Sequence, residues 1–462
     1  MNSNAFMISP KMIASADPRM DNVTVRNLWR GFTFGTSELE VQAGESCRFV
    51  VGQPEIPPCP DGAEYIIAAD ENGLAVVACD YGSLMRGYAA LLMKIDCIPF
   101  GSSTLGIAPV CERSRYTLKN RMIHFCIFPE TEMSILRRHL RLSAVLGYTH
   151  AVLEFWGTVE YDCCPCLAWK DKSLTKDEVR DLIREIRELG LEPIPMFNHL
   201  GHASAARVCG GKHVVLDQDP SKYALFTPDG WSWNTFNPDA RALLTSVRAE
   251  LYELFGEGEY FHAGLDESYS YSPPEMFDTL PEFLGELTHA IAAEGRRPMI
   301  WMDMFLPPEA FGTENQHECA NKTSEKCNAV LSALHPSTVL VDWQYAPKSA
   351  PISTSLYLKD KGFDIMGAPW LGIENGYAHL DTVVDNNLFG VMQTTWHTLS
   401  KETVRMLCFA RHFGAATAPW TPIGTKNTET ATLLRKLTFE PLTYEQTGWM
   451  DHQVINSAAR SV

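Results

Sequence analysis

From about residue 117 onward, short apolar runs alternate with amphipathic stretches of helical period. That alternation restricts the chain more than any other feature, because it is the signature of parallel strands joined by crossover helices. Eight runs have strand character, at 121–126, 150–156, 193–198, 260–264, 298–303, 337–343, 363–368 and 388–394. The clearest helix follows the second run. Thr175 and Glu178 form a capping box, Val179, Leu182, Ile183, Ile186 and Leu189 make an apolar stripe, and Gly190 closes it. A second helix runs from Asp239 to Phe255, and weaker ones are expected at 353–361 and 378–386. Eight such units predict a (β/α)8 barrel over residues 113–425.

The segment before the barrel reads differently. Residues 64–69 and 73–78 look like two strands joined by an Asp-Glu-Asn-Gly turn, and Tyr81 to Ile95 has helical spacing. Residues 1–112 are therefore expected to form a small α/β domain. Residues 426–462 have some helical character and no motif, and are expected to form a tail packed on the barrel.

Composition excludes several function classes. The formal charge of -17, with no basic stripe, argues against a nucleic-acid partner. No apolar run reaches membrane-spanning length, and the first residues lack the continuous apolar segment of a signal peptide. Thirteen scattered cysteines suggest reduced thiols and a cytoplasmic location. Cys163, Cys164 and Cys166 form a tight cluster, but no second pair stands at zinc-finger spacing, and no metal or cofactor is expected. Self-association is left open.

The fourth run ends in two adjacent carboxylates, Asp266 and Glu267. The same pair could begin a helix, where Asp caps and Glu suits the dipole. At the C-terminal end of a barrel strand it would instead stand on the catalytic face, where two acids in different environments are suited to breaking a glycosidic bond. Other strand ends carry Glu154 and Trp156, Asn198 with His199 and His202, Trp301 and Asp303, Trp343, and Trp396, while Arg121 opens the first strand. Tryptophan faces stack on sugar rings and exclude water. Each of these residues alone is as well explained by packing; their recurrence at one point of successive units is what suggests a site. About forty residues separate Asn198 from the helix at Asp239, a length that usually marks a functional loop.

These motifs resemble glycoside hydrolase family 20, the β-N-acetylhexosaminidases, and within it the branch that includes hexosaminidase D. Phe261-His262-Ala263-Gly264-Leu265-Asp266-Glu267 resembles the H-x-G-G-D-E signature, with Leu265 in place of the second Gly. The Leu200-Gly201-His202 segment resembles the family's third strand end, and Trp301, Trp343 and Trp396 fall where the family places its pocket tryptophans. The resemblance implies a substrate-assisted retaining mechanism on an oligosaccharide or glycoconjugate. The sugar's 2-acetamido oxygen attacks the anomeric carbon, Asp266 orients the acetamide, and Glu267 acts as acid and then base, with a raised pKa. It also implies that His202 tunes the acid, that Arg121 holds sugar hydroxyls, and that Glu154, Trp301, Asp303, Trp343 and Trp396 line the substrate. Asn198 stands where many members have Asp, and the family's acetamide-binding Tyr has two candidates, Tyr345 and Tyr377, with Trp370 at a nearby strand end. Two alternatives remain. One is a glycosidase for another or modified sugar with Glu154 or Asp303 as nucleophile; the other is a non-catalytic carbohydrate-binding barrel. A metal hydrolase using His199 and His202 fits the tryptophan pattern less well.

Overall fold

The computed structural model describes residues 4–58, 62–114, 116–204, 212–268, 278–307, 311, 323–370, 372–396, 399, 406, 409–410, 433 and 436–437. Nine strands precede the barrel: β1 (Phe6–Met7), β2 (Lys11–Ala16), β3 (Glu38–Ala43), β4 (Arg48–Gly52), β5 (Tyr65–Asp70), β6 (Gly73–Ala78), β7 (Asp96–Cys97), β8 (Leu105–Ile107) and β9 (Val110–Arg113). Six of them form one sheet in the order β3-β2-β4-β6-β5-β9, and β1-β8-β7 form a second. The β5–β6 hairpin is where the sequence places it, with Asp70 paired to Gly73. Two helices pack with the larger sheet, Val23–Phe32 capped by Asn22 and Tyr81–Leu92 capped by Asp80. Each cap accepts a backbone N–H that the first helical turn leaves unpaired.

Eight parallel strands then close into a barrel: β10 (Asn120–Ile127), β11 (His150–Phe155), β12 (Glu192–Met196), β13 (Tyr260–His262), β14 (Arg297–Trp301), β15 (Val339–Asp342), β16 (Asp364–Gly367) and β17 (Gly390–Gln393). Closure is made by β10 and β17, with Met122 opposite Met392. All eight predicted strands are present. Several end sooner than their apolar runs, and the residues beyond them are the chemical ones. Gly264, with φ of 71°, lies past the end of β13, and Asp303 starts a short 3-10 turn past β14. Both weak helix candidates form, as Ser353–Asp360 and Ile373–Asp385.

The small domain sits against the N-terminal end of the barrel. Tyr81 Oη donates to Glu188 O at 3.0 Å, and Thr24 Oγ1 to Glu188 Oε2. Most of the C-terminal tail lies outside the described residues. Of those described, Leu433 and Leu437 are buried, and the Lys436 ammonium lies 5.3 Å from the Phe32 ring centroid and 5.2 Å from that of Phe34, both in the small domain. No described helix is long and apolar enough to cross a membrane.

Candidate active site

The chain turns sharply after β13. Gly264, Leu265 and Glu267 have φ of 71°, 87° and 54°, values that side-chain-bearing residues adopt rarely. This turn sets the two adjacent carboxylates in different surroundings. The Asp266 side chain is 7% exposed and that of Glu267 32% exposed. The turn is held from several sides. Glu267 N donates to Asp303 Oδ2 at 2.9 Å, Trp231 Nε1 donates to Glu267 O at 2.6 Å, and Leu265 N donates to Asn198 Oδ1 at 2.9 Å. Asn198 Nδ2 donates to Asp266 Oδ1. Gly201 touches this turn so closely that a Cβ there would collide with the Asp266 carbonyl.

His202 joins the two acids. Its Nε2 lies 2.9 Å from Glu267 Oε2 and 3.4 Å from Asp266 Oδ2. Burial works against a charge on this ring, but Asp266 and Glu267 outweigh it and raise its pKa above the ordinary value. Asp303 is fully buried beneath Glu267, accepting from the Glu267 amide and, at 3.0 Å, from Trp343 Nε1. Burial and the charge of Asp266 push its carboxyl up to about 7.

The aromatic wall is continuous. Trp301 packs on Trp396 with ring centroids 5.3 Å apart, and Trp396 Nε1 donates to Tyr345 Oη at 2.6 Å. Tyr345 in turn lies 5.2 Å from Trp343 and 5.4 Å from Trp370. Of the two tyrosine candidates, Tyr345 is thus in the site, while Tyr377 packs against Phe409. Trp396 and Trp156 are partly exposed. Trp301 and Asp303 are 0% exposed, so both support the site from behind rather than touch a substrate. This corrects the expectation that they line it.

Arg121 is a second correction. It is the second residue of β10, so its side chain lies at the opposite, N-terminal end of the barrel. There it is 0% exposed, donates to Gly147 O at 2.6 Å and to Leu118 O, and pairs with Glu64 of the small domain at 3.2 Å. It cannot hold a sugar at the dyad. His199 is also structural: its Nδ1 meets Phe197 O at 2.7 Å, and burial lowers its pKa to about 3.

Trp231, His124, Cys126 and above all Lys212 escaped the sequence reading of the site. Lys212, from the long loop after Asn198, reaches into the barrel mouth, where its Nζ lies 2.7 Å from Glu154 Oε1 and 3.3 Å from Asp266 Oδ2. The ammonium also lies 5.5 Å from the Trp156 ring centroid and 5.3 Å from that of Trp396. Loop length pointed to this segment, but periodicity could not single out one lysine in it. Glu154 is 2% exposed and, besides Lys212, meets His124, Cys126 and Trp156. Burial opposes its charge, yet Lys212 and His124 hold its carboxyl well below the usual range. So enclosed, neither Glu154 nor Asp303 is placed to attack a sugar. His124, Cys126 and Glu154 bring ligand-type atoms within 4.8 Å of one another. The cation beside that carboxylate is Lys212, supplied by the chain itself. In the cysteine cluster, Cys164 Sγ and Cys166 Sγ are 3.1 Å apart and unpaired covalently.

With this geometry in view, comparison with solved structures places the architecture. A β-N-acetylhexosaminidase from Bacteroides fragilis superposes with a TM-score of 0.64 at 13% identity, covering 97% of this chain and 96% of that one. The fold is that of family 20 glycoside hydrolases. A chitobiase from Flavobacterium johnsoniae gives a TM-score of 0.63 at 16% identity, over 94% of this chain and 70% of its own. The Streptomyces plicatus N-acetyl-β-hexosaminidase, solved with thio-NAglucal, gives 0.62 at 15% identity, over 94% and 92%. No family model and no curated protein sequence matches the chain.

Proposed function

We propose that this protein is an exo-acting β-N-acetylhexosaminidase that removes terminal GlcNAc or GalNAc by substrate-assisted retention. The observation that carries the reading is the unequal pair at the end of β13. Asp266 is enclosed and held by Asn198, Lys212 and His202, as suits a group that orients an acetamide N–H and faces the positive charge of an oxazolinium. Glu267 is partly open and touches His202, as suits a group that protonates the leaving oxygen and then activates water. We assign the acetamide carbonyl to Tyr345, whose place in the aromatic wall beside Trp343, Trp370 and Trp396 supports that reading. Structures sharing this fold include a Vibrio harveyi exo-β-N-acetylglucosaminidase in complex with N-acetylglucosamine, which supports the sugar class.

The balance of the reaction needs no protein nucleophile. The acetamide oxygen forms a bond to the anomeric carbon as the glycosidic C–O bond breaks, and the Glu267 proton leaves with the aglycone. Water then adds to the same carbon, returning its proton to Glu267 and restoring the acetamide. The test is hydrolysis of the nitrophenyl β-glycosides of GlcNAc, GalNAc, glucose and galactose. Turnover confined to the two N-acetyl sugars is expected. Turnover of plain hexosides would require a protein nucleophile, and sugar binding with no turnover would mean a carbohydrate-binding barrel. We propose a cytoplasmic location from the odd number and scatter of the thirteen cysteines in the sequence; cell fractionation tests it.

A further inference from the structure

The hydrolytic scheme gives Lys212 no bond-making or proton-transfer step, yet the fold fixes it tightly. Lys212 N donates to His202 O at 2.7 Å, and His213 N donates to Ala203 O at 3.0 Å. The His213 ring stacks on Phe197 with centroids 4.2 Å apart and planes 13° from parallel. The ammonium is thereby delivered to one point, where its side chain is 1% exposed. At that burial it does not meet a sugar directly. It acts on what it touches, which is Glu154 and Asp266.

Charges alternate along the site. Glu154, Lys212, Asp266, His202 and Glu267 follow one another with contacts of 2.7, 3.3, 3.4 and 2.9 Å. We propose that Lys212 is a positioning residue that keeps Asp266 ionised and thereby sets the low-pH edge of activity. The proposal rests on the glycosidase reading, in which Asp266 has to be an acceptor and a negative charge throughout. Asp303 serves as an internal contrast. Its described partners are two N–H groups and no cation, and its carboxyl is pushed up to about 7. Asp266, by contrast, has the Lys212 ammonium 3.3 Å from its Oδ2. Other groups acting on this pair are Cys126, His213 and His262 around Lys212 and Cys126, Asp303 and Tyr345 around Asp266, with His124 reaching it through Glu154 and Glu267 through His202. None of these supplies a second ammonium.

The experiment compares wild type with Lys212→Met, Lys212→Arg and Glu154→Gln by two readouts. One is the pH profile of kcat/KM on nitrophenyl β-N-acetylglucosaminide. The other is a carbon-13 carboxyl NMR titration of Asp266, which needs no turnover. For Lys212→Met, both the acidic limb and the Asp266 titration are expected to move up by about 1–3 units, the shift an adjacent opposite charge produces. The loss is expected in kcat more than in KM, and Lys212→Arg should return the limb part-way. Glu154→Gln removes the competing carboxylate and should leave the limb in place or lower it. Both titrations unmoved in a folded Lys212→Met protein would overturn the proposal and make Lys212 a structural plug. Should the Met variant not fold, a limb raised by Glu154→Gln would overturn it equally. Wild type inactive on N-acetylhexosaminides would refute the glycosidase reading alone, since the NMR titration still decides the role of Lys212.

Discussion

A fully buried cation stands at each end of this barrel, and the two are used differently. Arg121, at the N-terminal end, is surrounded mainly by neutral acceptors, the carbonyls of Gly147 and Leu118, with Glu64 its one ionic partner among the described residues and the Tyr116 ring 3.7 Å away. Burial lowers its pKa despite Glu64. Lys212, at the C-terminal end, sits between two carboxylates. Burial opposes its charge, but Asp266 and Glu154 outweigh that and raise its pKa. A planar guanidinium saturates carbonyls and ties the barrel to the small domain. A compact ammonium, with His124, holds the Glu154 carboxyl beside it well below the usual range. The same physical oddity, a charge without water, is scaffold at one end and electrostatic control at the other.

That contrast can be broken by experiment. The largest expected effect is at the C-terminal end: Glu267→Gln should lower kcat/KM by about 10²–10⁴, as loss of a general acid does, with the melting temperature unchanged. Arg121→Met should do the reverse. Removing the guanidinium leaves the Gly147 and Leu118 carbonyls without their donor, at about 1–3 kcal/mol for each buried acceptor, read as a lower urea midpoint, while activity per folded molecule stays at the wild-type level. Activity loss without loss of stability would mean that the N-terminal end also serves the chemistry. A smaller effect concerns pH. Because Asp303 is raised to about 7, the folded chain keeps a proton that the unfolded chain releases above about pH 4. Its contribution to stability therefore falls as pH climbs from 4 to 7. Urea titrations across that range should show the decline in wild type and a flatter course in Asp303→Asn. The smallest effect is at Glu64, whose side chain is 26% exposed. Glu64→Gln keeps an acceptor for Arg121 and should cost about 1 kcal/mol. A larger cost in the same urea series would move that pair from partial exposure to true burial.

The barrel was legible because every strand residue from Met122 to Ile127 or Ile194 to Met196 is buried, which leaves continuous apolar runs in the sequence. The dyad was legible because it follows such a run directly. The small domain was read only at β5 and β6, for the same reason, and at the helix Tyr81–Leu92, whose apolar residues keep helical spacing. β2 alternates exposed and buried positions, but Ile13 is on its exposed side, so the period-2 signal is blurred. Arg121 was misplaced because position within a strand decides which end of the barrel a side chain reaches, and its run begins rather than ends there. Lys212 and Trp231 belong to a loop whose path is fixed by contacts such as His202 O to Lys212 N and Trp231 Nε1 to Glu267 O. No local pattern encodes such long-range closures.

Leu265 has a consequence of another kind. It holds φ of 87° in the position where the resembling signature has glycine, and it is 0% exposed. That backbone angle costs about 1–3 kcal/mol for a residue with a side chain. Burying the leucine contributes about 1.5–3 kcal/mol in return. The bend that aims Asp266 and Glu267 is therefore stable only once a core exists to receive Leu265. Refolding should restore far-ultraviolet ellipticity first and hydrolysis last, so that a half-folded molecule carries both acids and cleaves nothing.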